Sequence, residues 1–147
     1  MLERLVHELV RKGYSIATLK STQEDVSEPE GTDTWKHKRA GAKTTVLLGP
    51  QSTTIRYGRR IALREIFADS DFDFLLVEGM KSSKIPKIWC LGRNKLDLKQ
   101  VPPETIAAVA WNQPADSAKI PIIQEGELST LADIIEKHAI ELNQIED

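Results

Sequence analysis

Leu2, Leu5, Val6, Leu9 and Val10 follow the i, i+3, i+4, i+7, i+8 spacing that places apolar side chains on one face of a helix. Arg11, Lys12 and Gly13 close that helix, two cations for its negative end and a glycine for its stop. Ser15 to Leu19 then reads as a short strand. No strand or cap residue precedes Leu2, so the opening resembles the second half of a strand, turn and helix unit. The turn of such a unit is the usual seat of a phosphate-binding loop.

A polar loop from Ser21 to Thr34 follows, long enough to be functional. The pattern next predicts a helix over Thr34 to Ala40 ending at Gly41, a β-branched strand at Thr44 to Leu48 stopped by Gly49-Pro50, and a further strand at Ser52 to Tyr57. Ile61, Leu63, Ile66 and Phe67 mark a short helix, and Phe72 to Val77 is an apolar strand interrupted only by Asp73. Ile85 to Leu91, Ile106 to Trp111 and Ile120 to Ile123 are three more strands, with apolar runs that suit sheets covered on both faces. Leu128, Leu131, Ile134, Ile135, His138, Leu142 and Ile145 share the stripe of a last helix, with Thr130 and Asp133 as its capping box. Strands alternating with helices predict an α/β fold with an open, mainly parallel sheet.

A chain of 147 residues with 40% apolar content can build one domain with a real core, so a single domain over 1–147 is expected. The net charge of −2 hides an asymmetry. No Asp or Glu occurs from Lys36 to Leu63, a window holding Lys36, Lys38, Arg39, Lys43, Arg56, Arg59 and Arg60. The tail after Gln124 is acidic. An anionic partner is expected for the middle of the chain. The single cysteine, Cys90, excludes an internal disulfide and any multi-cysteine metal site, and its apolar neighbours predict an inert, buried thiol. His37 has no second histidine or cysteine at ligand spacing, and His7 and His138 read as packing or surface residues. No apolar run is long enough for a membrane span and no signal segment opens the chain, so a cytoplasmic location is expected.

Three stretches carry candidate chemistry. In Asp73-Phe74-Leu75-Leu76-Val77-Glu78-Gly79-Met80-Lys81 a buried strand delivers a carboxylate to its carboxyl end, where α/β sheets bind ligands. Glu78 there could hold Mg²⁺, directly or through water, or equally cap a strand end facing solvent. In Thr18-Leu19-Lys20-Ser21-Thr22 a second strand ends in a cation and hydroxyls suited to phosphate, Lys20 as the charge and Thr22 as the donor. A lysine there is an ordinary solvated residue unless Glu78 lies beside it. The helix around Asp33-Thr34-Trp35-Lys36-His37-Lys38-Arg39 presents a basic surface that accepts phosphates or is merely solvated. Gly41-Ala42-Lys43-Thr44 is not a phosphate loop, because G-x-x-x-x-G-K-[ST] demands glycine where Ala42 stands.

Taken together, the helix into Arg11-Lys12-Gly13-Tyr14, the strand into Thr18-Leu19-Lys20-Ser21-Thr22, Gly31-Thr32-Asp33-Thr34-Trp35-Lys36-His37-Lys38-Arg39-Ala40-Gly41-Ala42, and Leu76-Val77-Glu78-Gly79-Met80-Lys81 before Ile85-Pro86-Lys87-Ile88 resemble the molybdopterin-guanine dinucleotide biosynthesis protein B (MobB) family. The likeness runs in order from Leu2 to the final helix. It implies a P-loop NTPase-like fold and a GTP-binding, usually homodimeric protein with feeble GTPase activity. Such a protein assists the enzyme that attaches GMP to molybdopterin. By this resemblance Glu78 and Gly79 belong to the second phosphate and Mg²⁺ motif, with Lys81 behind them, and Lys20 and Thr22 lie at the neighbouring strand end. Asp33, Lys36, His37 and Arg39 would sit on a ligand-facing helix, and Asn112 near the guanine base.

Two departures shape the expectation. The family's first strand and G-x-x-x-x-G-K-T loop have no counterpart before Leu2, which argues against GTP hydrolysis and predicts unpaired sheet edges. Ser21-Thr22-Gln23 stands where relatives often carry histidines. The expected function is therefore binding of guanine nucleotide or molybdopterin, with GTP and Mg²⁺ as cofactors, and docking on the GMP-attaching enzyme. The alternatives are a nucleotide-independent adaptor and a nucleic-acid-binding module using Lys36 to Arg64 with Trp35 and Tyr57.

Overall fold

The computed structural model describes residues 1–93, 97, 99–111 and 120–145. The chain divides into two compact units, one made of Met1–Ser21 with Asp69–Asp147, the other of Thr22–Ala68.

The first unit begins with α1 (Leu2–Arg11), whose Leu5 and Leu9 are buried one helical turn apart. Val10, expected on the same face, is 54% exposed: one residue beyond Leu9 is about 100° further round the helix. Gly13 ends the helix at φ +99°, a value that suits glycine, while Tyr14 N–H donates to the Leu9 carbonyl. β1 (Ile16–Lys20) pairs in parallel with β4 (Phe74–Glu78), Ile16 opposite Phe74 and Lys20 opposite Glu78. A reciprocal clasp sets this register. Asp73 Oδ2 accepts from Ser15 N–H at 2.7 Å, and Asp73 N–H donates to Ser15 Oγ at 3.0 Å. Asp73, an interruption in the apolar run, thus lies just before a strand that starts at Phe74.

β5 (Lys87–Gly92), β6 (Thr105–Ala110) and β7 (Ile122–Gln124) form a second parallel ladder in the order β5-β6-β7. The central β6 is covered on both faces as expected, with Ala107, Ala108, Val109 and Ala110 at 3% exposure or less. β4 is only half-buried at Phe74 to Val77. α4 (Leu128–His138) packs Leu131, Ala132 and Ile135 against Leu5, Leu9, Ala107, Val109 and Ile123. Ile16, Phe74, Leu76 and Ile88 border that cluster, so one core serves both ladders. Lys12 ties α1 to α4 through Asp133, at 2.6 Å, and Glu136.

Two expectations for α4 fail. The helix starts at Leu128, so Thr130 lies inside its first turn, and Asp133 pairs with Lys12 in place of a capping box. The helix also ends at His138, where Ala139 turns extended, so Leu142 and Ile145 fall on and after a separate 3₁₀ turn (Leu142–Gln144). Cys90 is exposed, contrary to the buried position expected, although its partner across the ladder, Val109, belongs to the core. Partial desolvation by the surrounding strand nonetheless pushes the thiol pKa up, which keeps the thiolate scarce.

The second unit holds α2 (Asp33–Arg39), the antiparallel hairpin β2 (Thr44–Leu48) and β3 (Thr53–Tyr57), and α3 (Leu63–Ile66). Thr32 caps α2, its Oγ1 accepting from Trp35 N–H and donating to the Pro29 carbonyl. Gly49 N–H donates to the Ser52 carbonyl and closes the hairpin turn. The hairpin's faces are inverted relative to a usual core sheet. Thr45 and Arg56, opposite one another, share a face on which Thr45 is buried and Leu47, nearer the turn, is 62% exposed. Val46, Leu48, Ile55 and Tyr57 share the other face and are between 48% and 78% exposed.

Candidate functional site

Parallel pairing brings the carboxyl ends of β1 and β4 together, the position at which such sheets present ligand-binding groups. Lys20 and Glu78, in register, meet with Nζ 3.4 Å from Oε2. Both side chains stay open to solvent, at 70% and 56% exposure. An ion pair this exposed is worth about 0–1 kcal/mol, so either group can exchange its partner for a phosphate or a cation at little cost. The ladder runs one step further, with Ser21 N–H donating to the Glu78 carbonyl at 2.8 Å.

The chain then turns through two left-handed residues, Gly79 at φ +101° and Met80 at φ +50°. A Cβ on Gly79 would stand 2.8 Å from the Ser21 carbonyl oxygen, so only glycine allows the two strand ends to approach this closely. Lys81, just beyond, holds its ammonium 6.0 Å from the centre of the Trp89 ring.

Thr22, expected beside Lys20, and the α2 residues belong to the second unit. Thr22 donates its hydroxyl to the Glu24 carbonyl at 2.7 Å, so its proton is already engaged. On α2, Lys36 reaches Asp33 at 3.2 Å, the Arg39 guanidinium lies 4.9 Å from the centre of the Trp35 ring, and His37 is exposed. The basic window is partly neutralised, by Glu65 on Arg59 and by Glu28 near Arg56. Among the described residues no carboxylate pairs with Lys38, Lys43, Arg60 or Arg64. Asn112 lies outside the described residues. Sequence reasoning missed the Ser15–Asp73 clasp and the buried Glu28. One acid among five in a polar loop gives no signal of burial, whereas the strand-start acid Asp73 stood out and could have been read as a clasp.

Among the described residues no cluster of three His, Cys, Asp or Glu could cage a metal ion. One exposed carboxylate beside a lysine suits a different mode, Mg²⁺ that keeps most of its waters and is held largely by phosphate oxygens. The donor set thus fits a magnesium–phosphate group and not a protein-caged ion. Among the described residues no helix is long and apolar enough to cross a membrane.

Comparisons with known proteins identify relatives of the chain. Residues 1–112 match the family model described as molybdopterin guanine dinucleotide synthesis protein B. A Haemophilus influenzae protein named molybdopterin-guanine dinucleotide biosynthesis adapter protein is 28% identical over 149 residues, covering 92% of this chain and 79% of its own. A Methanocaldococcus jannaschii protein, provisionally given the same adapter name, is 38% identical over 93 residues, and the chain spans only 39% of its length. The crystal structure of Bacillus subtilis MobB superposes with a TM-score of 0.66 at 22% identity, over 95% of this chain and 88% of that one. The MobB homologue of Bacillus stearothermophilus gives 0.65 at 20% identity, over 92% and 88%. These likenesses establish the α/β, P-loop NTPase-like fold, and the family match covers most of the sequence: the chain belongs to the MobB family.

Proposed function

We propose that this chain is an accessory protein of molybdenum cofactor biosynthesis. It holds a guanine nucleotide or pterin phosphate with Mg²⁺ and docks on the enzyme that attaches GMP to molybdopterin, binding without turnover. The adapter names of its relatives support the docking role. The observation that carries the binding role is the meeting of Lys20 and Glu78, 3.4 Å apart and solvent-open, at the carboxyl ends of adjacent parallel strands. Lys20 supplies the point charge for a phosphate, and Glu78 orients waters of a phosphate-bound Mg²⁺, which itself neutralises phosphate charge. A cytoplasmic location belongs to this reading.

So does a homodimer. The uncovered hairpin face of Thr44, Val46, Leu48, Thr53, Ile55 and Tyr57 carries no charge. A two-fold axis across it sets the Lys43 and Arg59 end of one copy against the neutral Gly49–Ser52 turn of the other, so like charges stay apart.

Isothermal titration with GTP, in the presence and absence of Mg²⁺ and with ATP as control, tests the binding role. Saturable GTP binding is expected, with Glu78→Gln weakening only its Mg²⁺-dependent part, by about tenfold. Lys20→Gln should weaken it at either Mg²⁺ level. An unchanged metal dependence in Glu78→Gln removes the Mg²⁺ assignment. Docking on the GMP-attaching enzyme that is indifferent to GTP selects the plain adaptor.

A further inference from the structure

Glu28 has a side chain only 3% exposed, in a loop whose Gln23, Glu24 and Asp25 are open to solvent. Its Oε1 accepts from Thr45 Oγ1 at 3.4 Å and lies 3.8 Å from Arg56 Nε, beyond hydrogen-bonding range. Its Oε2 is buried with no hydrogen-bond partner. Arg56 Nη1 donates to the Val26 carbonyl at 3.0 Å. Thr45 and Arg56 face each other across the hairpin, so the loop is pinned to one cross-strand pair through one guanidinium.

This contact is poorly satisfied on both sides. A buried carboxylate has given up its hydration, and an oxygen without a donor recovers none of that loss. The guanidinium offers five donors in a fork that matches a phosphate, and Glu28 uses it only as a distant charge. A second cation adjoins. Gly58 N–H donates to the Lys43 carbonyl at 2.8 Å, extending the ladder by one pair. By the strand period of two, Lys43 then follows on the face of Thr45 and Arg56.

We propose that Arg56 and Lys43 form a binding site for a phosphate or pyrophosphate group that Glu28 masks, and that an entering anion takes the guanidinium and releases the 22–32 loop. Glu28 regains water as it leaves, which offsets its lost contacts. The proposal concerns the second unit alone and stands whether or not Lys20 and Glu78 hold a nucleotide.

Hydrogen exchange of the full chain with and without inorganic pyrophosphate, at fixed ionic strength, tests it, with GTP and guanosine as further arms. Amides of residues 26–32 should exchange several-fold faster with pyrophosphate. GTP should reproduce this if a nucleotide is the source of the phosphate, and phosphate-free guanosine should not. Glu28→Gln should bind pyrophosphate about five- to tenfold more tightly, and Lys43→Gln more weakly by a similar factor. Loop protection that stays constant or rises with pyrophosphate overturns the proposal, as does a Glu28→Gln affinity no higher than that of the unaltered chain. Should Glu28→Gln fail to fold, the exchange experiment on the unaltered chain and the exposed Lys43→Gln variant decide the matter.

Discussion

At Gly79 the requirement for one residue type is steric. The left-handed φ of +101° costs any L side chain about 1–2 kcal/mol, and a Cβ there would press on the Ser21 carbonyl at 2.8 Å, a backbone atom that cannot swing aside. Gly79→Ala should therefore lower the free energy of unfolding by about 2–3 kcal/mol in urea titration, whereas Gly126→Ala, which meets open space, should shift it by less than about 0.5 kcal/mol. Equal effects would mean that the strand ends tolerate separation. The same close approach sets Lys20 beside Glu78, so the nucleotide binding proposed there should weaken together with stability in Gly79→Ala. Lys20 and Glu78 were legible as separate strand ends, because strands show in apolar runs. Their register was not, since it rests on Ser15 and Asp73, residues 58 apart in sequence.

Among the elements, the hairpin departs furthest from what periodicity implies. Its two strands were readable as Thr44 to Leu48 and Ser52 to Tyr57, within one residue of the observed bounds, yet alternation cannot say which face a neighbour covers. Here one face is covered at Thr45 and open at Leu47, and the other, with Val46, Leu48, Ile55 and Tyr57, is open along its length. A two-stranded ribbon with an open apolar face has little stability alone. Sedimentation should find a dimer for the unaltered chain, and Leu48→Lys should raise its dissociation constant by about a hundredfold while leaving the circular dichroism intact. A dimer that survives Leu48→Lys would assign that face to something else. The stripes of α1 and of the body of α4 were legible because their periodic residues pack on one shared core, and β6 because an unbroken apolar run suits a strand buried on both faces. The end of α4 was not: Leu142 and Ile145 fit the stripe, but the extended Ala139 stops the helix first.

Across the whole molecule, burial is unequal. The first unit holds Leu5, Leu9, Ala107, Val109, Leu131 and Ile135 in one cluster, whereas Leu63 is the one buried apolar side chain described between Thr22 and Ala68. Native-state hydrogen exchange should show amides of β2 and β3 opening at lower urea than those of β6, whose exchange should track global unfolding. Coincident opening of the two would show a single cooperative body. The first unit is also discontinuous, with Met1–Ser21 separated from Asp69–Asp147 by the whole of the second. On the ribosome, β1 emerges long before its partner and must wait, unpaired, until Glu78 has left the exit tunnel. The hairpin, joined by a four-residue turn, has its partner strand at once. The order of synthesis therefore leaves β1 exposed to chaperones and to misplaced pairing for longer than either hairpin strand, and the strand end bearing Lys20 is set only when about half of the chain has been made.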